Sequence, residues 1–273
     1  MRFLKLSVVA TALAATVSSV CADQPIMNMM PRWDGGYGFQ ILAEHIHRSD
    51  LKQGDDVVGR GFTEDVTQLH LQGVYTWDRS IRLTAKLPYV VDARREVLGN
   101  GGQKVVQRDE GIGDLTLALP LKKYFNLSAR SGSWTLSPQV RIPLGKEDDE
   151  FEVWDGVWGG GVWAGYETET YDWFFATGAG FWIFEQPEPA EWSFNLDLGW
   201  NVREDTQLLI ETDLKWDDEG KFFASSGPAL YYRFSDIVHC RVEWKHDFVS
   251  EVSDHAPDHG NGDRISIGVG FVF

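Results

Sequence analysis

Residues 263–273 read DRISIGVGFVF. Ile265, Ile267, Val269, Phe271 and Phe273 alternate with Arg264, Ser266, Gly268 and Gly270, and only Val272 breaks the pattern. A period of two marks a strand whose two faces meet different surroundings. Soluble domains more often finish in a polar, frayed tail, whereas here one apolar face runs to the last aromatic residue. The stretch is expected to be a strand whose odd-numbered residues meet hydrocarbon. In hydrocarbon an open sheet edge leaves backbone amides without partners, at several kcal/mol each. This strand must then pair with the first strand and close the sheet. Ser266, Gly268, Phe271 and Phe273 carry that closure: a polar residue, Gly two later, then apolar residues ending in an aromatic. The pattern resembles the terminal signal that barrel assembly machinery reads during insertion.

The same alternation recurs upstream. Trp192, Phe194, Leu196, Leu198, Trp200 and Val202 alternate with Ser193, Asn195, Asp197, Gly199 and Asn201. Leu208, Ile210, Leu214 and Trp216 repeat the pattern, as do Val238, Cys240, Val242, Trp244 and Phe248. Aromatics close one or both ends of several apolar faces, as the girdles of a membrane barrel require. About twelve such segments fit the chain, near 36–47, 63–77, 80–92, 112–125, 133–144, 157–169, 171–184, 191–203, 206–216, 221–234, 237–249 and 264–273. Each is roughly the ten residues needed to cross a bilayer as a strand. The connections alternate in length. SDLKQGDDVVGRG, DARREVLGNGGQKVVQRDEG, GKEDDEFEVWDG and SEVSDHAPDHGNGD are long, whereas WDRS, NLSARSGS, TETYD, REDT and FSD are short. Outer-membrane barrels have short periplasmic turns and longer external loops. The expected fold is therefore an all-β, transmembrane antiparallel barrel of about twelve strands in one domain, residues 23–273.

The first 22 residues read separately. Arg2 and Lys5 precede an apolar run from Ser7 to Val20, and Val20-Cys21-Ala22 offers a cleavage site. This is the pattern of a secretory signal peptide, cleaved after Ala22. Cys240 is then the one remaining cysteine, which allows no internal disulfide. The chain carries 25 Lys and Arg against 41 Asp and Glu, a net charge of −16. An acidic chain of this kind lacks the phosphate-neutralising surface that nucleic acid needs. The remaining partners are outer-membrane lipid and lipopolysaccharide, the assembly machinery and a small solute. Twelve Trp, 16 Phe, 8 Tyr and 28 Gly accompany this charge, a composition that favours a sheet over helices.

Two inner stretches carry a family resemblance. IRLTAKLPYVV (81–91) follows the turn WDRS, and GIGDLTLALPLKKY (111–124) follows the second long loop. A strand entering through Asp-Arg and closing on Leu-Pro-Tyr, then a Gly-x-Gly-Asp-Leu strand ending in Lys-Tyr, resembles the outer-membrane family named for the meta pathway of phenol degradation. The resemblance implies a channel or transporter for small, often aromatic or hydrophobic compounds. Gly111-Ile112-Gly113 is no dinucleotide fingerprint, because a strand follows it and the third Gly is missing.

With the apolar face toward lipid, the alternation turns Arg82, Lys86, Glu211, Asp213, Arg241 and Glu243 into the lumen. Charges of both signs either line a narrow water path or knit into a plug of salt bridges. One segment, YDWFFATGAGFWIF, is apolar on both faces. Phe174, Trp182 and Phe184 fall inward with Trp163 of the preceding strand, and Gly178 and Gly180 leave room beside them. This is either an aromatic patch for an apolar solute or interior packing, including contact with an inward-folded loop. Glu147, Asp148, Asp149, Glu150 and Glu152 read as a solvated charge run rather than a metal site. Asp254, His255, Asp258, His259 and Asp263 read as a flexible polar loop. No metal or cofactor is expected. His45, His47, His239 and His246 find no convincing Ser partner, so a lipase or protease barrel ranks behind a channel and a pore-less structural barrel.

Overall fold

The computed structural model describes residues 35–54, 56–99, 101–127, 129–144, 153–154, 156–186, 188–252 and 257–273. The expected leader, the acidic residues Glu147–Glu150 and Glu152, and Asp254 and His255 lie outside the described residues. The described elements are all strands: β1 (Gly36–Gln53), β2 (Asp56–Asp78), β3 (Ile81–Leu98), β4 (Lys104–Ile112), β5 (Leu115–Ala118), β6 (Leu121–Leu127), β7 (Arg130–Ile142), β8 (Gly159–Glu169), β9 (Trp173–Phe184), β10 (Glu191–Arg203), β11 (Thr206–Asp217), β12 (Phe222–Arg233), β13 (Val238–Glu251), β14 (Asp258–His259) and β15 (Gly262–Val272). β4, β5 and β6 form one broken stave and β14 is a short addition to β1, so the wall has twelve staves. Each pairs antiparallel with its neighbours, and β1 pairs with both β2 and β15, which closes the sheet.

The closing seam runs from Gly38 opposite Val272 to Arg48 opposite Gly262. Tyr37 and Phe273 exchange backbone hydrogen bonds of 3.0 and 2.8 Å. Their rings stack at 5.3 Å, and Phe39 stacks on Phe271 at 5.0 Å. Ile267 is 53% exposed and the adjacent Ser266 2%, so the odd-numbered face is the outer one. Ser266 points inward and donates to Glu243 at 3.4 Å. A Cβ on Gly268 would sit 2.5 Å from the Gln40 amide, which lies across the seam on the inner face. Outer-face rings gather toward both ends of the staves. Tyr75 with Trp77, and Trp134 with Tyr166, lie toward the short turns, while Phe181 with Trp192 lies toward the long loops. Such paired belts suit the two interfaces of a bilayer.

The twelve expected segments match the twelve staves, with two differences. SDLKQGDDVVGRG and most of DARREVLGNGGQKVVQRDEG, read as loops, continue the ladders of β1–β2 and β3–β4. Apolar alternation marks only the part of a strand that faces lipid. Beyond it both faces meet water, and the ladder persists while the hydrophobic signal stops. Asp50 (φ 63°) and Gly61 (φ 73°) form an irregularity there, and Asp50 accepts from the Gly61 N–H at 2.8 Å. The fourth stave, expected as one strand over 112–125, is interrupted at Gly113-Asp114 and at Leu119-Pro120. Pro120 has no N–H to give the ladder, while Asp114 turns inward and accepts from the Leu144 N–H at 3.3 Å.

Candidate functional site

The lumen holds a cavity of about 560 Å³. One wall is ionic. Arg241 on β13 reaches both oxygens of Glu211 on β11 at 2.7 and 2.6 Å, and Glu243 at 2.8 Å. Lys245 lies 2.6 Å from Asp213, 3.1 Å from Glu211 and 3.1 Å from Glu243. Arg264 on β15 extends the chain to Asp213 at 3.2 Å and to Glu44 at 3.9 Å. Glu44 also accepts from Gln68 at 2.6 Å and is 3.2 Å from His70. Arg241 and Lys245 reach Glu211 and Asp213 across β12, where the residues opposite the two acids are the small Gly227 and Ser225. Of the two outcomes left open for a charged lumen, this wall takes the knitted one.

The opposite wall is aromatic. Trp163 on β8 faces Gly180, Trp182 on β9 faces Gly161, Phe184 faces Gly159, and Phe174 faces Gly199 on β10. In each case the residue directly across the ladder from the ring is glycine. A Cβ at Gly161 would come 2.5 Å from the Trp182 ring, one at Gly159 2.6 Å from Phe184, and one at Gly180 2.6 Å from Trp163. The Trp163 ring also covers Gly178. The glycines therefore let the rings lie flat on the wall rather than stand out into the lumen. Trp182 and Phe184 stack at 5.8 Å with planes 3° apart.

The expected lumen residues separate by position. Lys86, Trp163, Phe174, Asp213, Arg241 and Glu243 line the cavity. Trp182 and Phe184 lie nearer the long loops, beside Arg141. Arg82 is fully buried and donates to the Tyr124 hydroxyl at 3.1 Å. Glu211 is buried behind its two cations. Phe174 also packs in a buried cluster with Leu209, Ala229 and Tyr231, so it belongs to the interior packing as well as to the cavity. Lys122 is fixed by Glu167 at 3.0 Å, which also accepts from Ser133 at 2.6 Å.

Sequence reasoning missed Trp154. It lies in GKEDDEFEVWDG, read as a solvated acidic run, yet Val153 and Trp154 fold inward against Val66, Val90 and Ala93. The Val153 N–H donates to Asp109 at 2.9 Å, and the Trp154 indole N–H donates to Gln68 at 3.3 Å. The Trp154 ring covers Gly113, the same pairing of ring and glycine seen on β8 and β9. The final connection is also ordered where it is described. Asp258 and His259, expected in a flexible loop, pair with Lys52 and Leu51. His259 is 1% exposed, and Asp258 is held by Arg95 at 2.6 Å and Lys221 at 3.5 Å. These groups lie outside the membrane-crossing part. Burial pushes the Asp258 carboxyl up, but Arg95 and Lys221 outweigh it and hold the group below its ordinary value. Burial lowers the pKa of His259. Among the described residues no group of three or more His, Cys, Asp or Glu side chains could hold a metal ion.

A closed antiparallel barrel with an apolar outer belt and a polar, partly aromatic lumen defines a transmembrane β-barrel of the outer-membrane kind. Residues 46–260 match the family described as "Putative MetA-pathway of phenol degradation", and the chain belongs to it. The fold is similar to that of an outer membrane channel from Pseudomonas putida F1, with a TM-score of 0.72 at 16% identity over 94% of this chain and 100% of that one. It is also similar to the NanC porin, with a TM-score of 0.52 at 10% identity over 85% and 98%. The translocator domain of the autotransporter NalP from Neisseria meningitidis gives 0.50 at 10% identity over 100% and 95%. No curated protein matches the chain.

Proposed function

We propose that this protein is an outer-membrane channel for small solutes, with aromatic or hydrophobic compounds as the preferred class. The observation that carries the reading is the cavity of about 560 Å³, faced on one side by rings laid flat on glycines. Flat rings offer stacking area without filling the passage. The similarity of fold to a channel and a porin supports passage, and the family description supports an aromatic solute. In this reading the amino-terminal segment directs secretion and is removed. Lipid, lipopolysaccharide and the assembly machinery are the barrel's surroundings, and the barrel catalyses no reaction. Liposome swelling with solutes graded in size, charge and aromaticity tests it. Aromatic solutes should enter faster than sugars of equal size, and Trp182→Ala and Phe184→Ala should lower that preference. Equal rates for both solute classes, or an unchanged preference in the variants, would remove the aromatic part of the reading.

A second reading, a barrel with no open pore, is favoured by the packing at the long-loop end. Val153 and Trp154 fill one side of the interior there, and Asp258 and His259 fill another. Planar-bilayer conductance separates the two: discrete openings support the channel, and silence from folded protein supports the closed barrel.

A further inference from the structure

Two cations of the lumen lie within ion-pair distance of no carboxylate among the described residues. Lys122, Arg241, Lys245 and Arg264 each have a carboxylate oxygen within 4 Å. Lys86 and Arg141 have neither an ion pair nor a hydrogen bond among the described residues, and the Arg141 Nε is buried without a partner. Glu44, the acid on the ionic wall toward Lys86, is already engaged by Gln68, His70 and Arg264. Both side chains are half-buried, and a cation partly withdrawn from water without an ion pair gains when an anion enters beside it.

The two cations stand in one register. Lys86 on β3 pairs with Thr116 on β5, and Thr116 pairs with Arg141 on β7. Two strand spacings place their Cα atoms about 10 Å apart with the Thr116 hydroxyl between them. The next positions along the row are Gly159 and then Phe184. The Arg141 guanidinium sits 4.4 Å from the Phe184 ring centre, 5.5 Å from Trp182 and 5.7 Å from Trp154. Stacked against rings, a guanidinium keeps its N–H groups in its own plane, where they match a carboxylate two by two. Arg141 and these rings thus meet on the long-loop side of the cavity, next to the row through which Lys86 and Thr116 line it.

We propose that Lys86, Arg141, Trp182 and Phe184 form a binding site for a small aromatic carboxylate of the size of benzoate, with the carboxylate on the two cations and the ring against the aromatic wall. The proposal rests on the aromatic-channel reading and narrows it from aromatic solutes to anionic ones.

The test uses the full barrel in detergent micelles, with benzoate, benzyl alcohol and acetate titrated by calorimetry. Benzoate should bind at least about tenfold more tightly than benzyl alcohol, which has the ring without the charge, and than acetate, which has the charge without the ring. Arg141→Gln and Lys86→Gln should each weaken benzoate by about tenfold or more, the loss of a charge-assisted hydrogen bond. Arg141→Lys should recover only part of the loss, because it keeps the charge and loses the fork. Heat-modifiable gel mobility checks that each variant is folded. Acetate binding as tightly as benzoate would reduce the site to a simple anion site and overturn the proposal. So would benzoate binding that neither glutamine variant changes. Swelling with benzyl alcohol in parallel separates the two readings: if benzyl alcohol permeates faster than sugars while benzoate ignores Arg141 and Lys86, this proposal fails and the aromatic channel stands.

Discussion

The wall built from β11, β13, β15 and β1 and the wall running from β3 to β9 treat charge differently. On the first, Arg241, Lys245 and Arg264 share Glu211, Asp213, Glu243 and Glu44 in one connected chain. On the second, Lys122 is paired with Glu167, but Lys86 and Arg141 take no carboxylate among the described residues, and much of the surface is given to rings on glycines. A network whose carboxylates are already engaged by cations is costly to break. A wall with cations outside any ion pair and flat apolar faces has both charge and stacking area to offer a solute. The difference assigns shape to the first wall and selectivity to the second.

The comparison breaks most visibly at its most buried acid. Glu211→Ala leaves Arg241 and Lys245 short of a partner, and it should cost about 3–5 kcal/mol in urea unfolding from lipid vesicles. A loss below 1 kcal/mol would mean that the network does not hold the wall.

Next comes crowding of the opposite wall. Gly180→Val places a branched side chain where the Trp163 ring lies. It should cost about 1–3 kcal/mol in the same assay, the usual range for overpacking, and should push the ring into the cavity so that aromatic flux falls. Unchanged flux would detach Trp163 from the solute path.

The smallest effect concerns the mouth, which belongs to neither wall. Asp258 is strapped to Arg95 and Lys221 and has a depressed pKa. A depressed carboxyl contributes stability above its unfolded value, about 3.9, and loses it as pH falls through the lower folded value. With both partners partly exposed, the strap is worth about 1 kcal/mol or less. Conductance should therefore hold between pH 7 and pH 5 and rise only below about pH 4. Burial lowers the pKa of His259, so its step moves to the acid side of the ordinary imidazole range. Asp258→Asn should give the acid behaviour at pH 7. A transition between pH 7 and pH 5 would assign the mouth to another group.

Much of this comparison was legible in the sequence. Strict alternation turned Arg241, Glu243, Glu211 and Asp213 inward, and GGGVWAG opposite TGAGFWIF already held the glycines that receive Trp163, Trp182 and Phe184. Which cation meets which acid was not legible, because ladder register across many staves decides it. Trp154 was hidden because loop residues carry no period, so nothing in GKEDDEFEVWDG marks one ring as inward. The extensions of β1 to β4 were hidden because a strand in water on both faces has no apolar alternation to read. That Arg141 meets no carboxylate among the described residues emerges only once the ladder register has placed its neighbours.

The division of labour is tested most directly by one ratio: swelling rates for an aromatic solute over a sugar of equal size. It is measured in liposomes carrying the native barrel, a Trp163→Ala/Trp182→Ala barrel, or a Glu243→Gln barrel. The ratio should fall toward one in the first variant and stay near the native value in the second. A ratio that both variants lower equally, or that the double aromatic variant leaves unchanged, would contradict the assignment of selectivity to the aromatic wall.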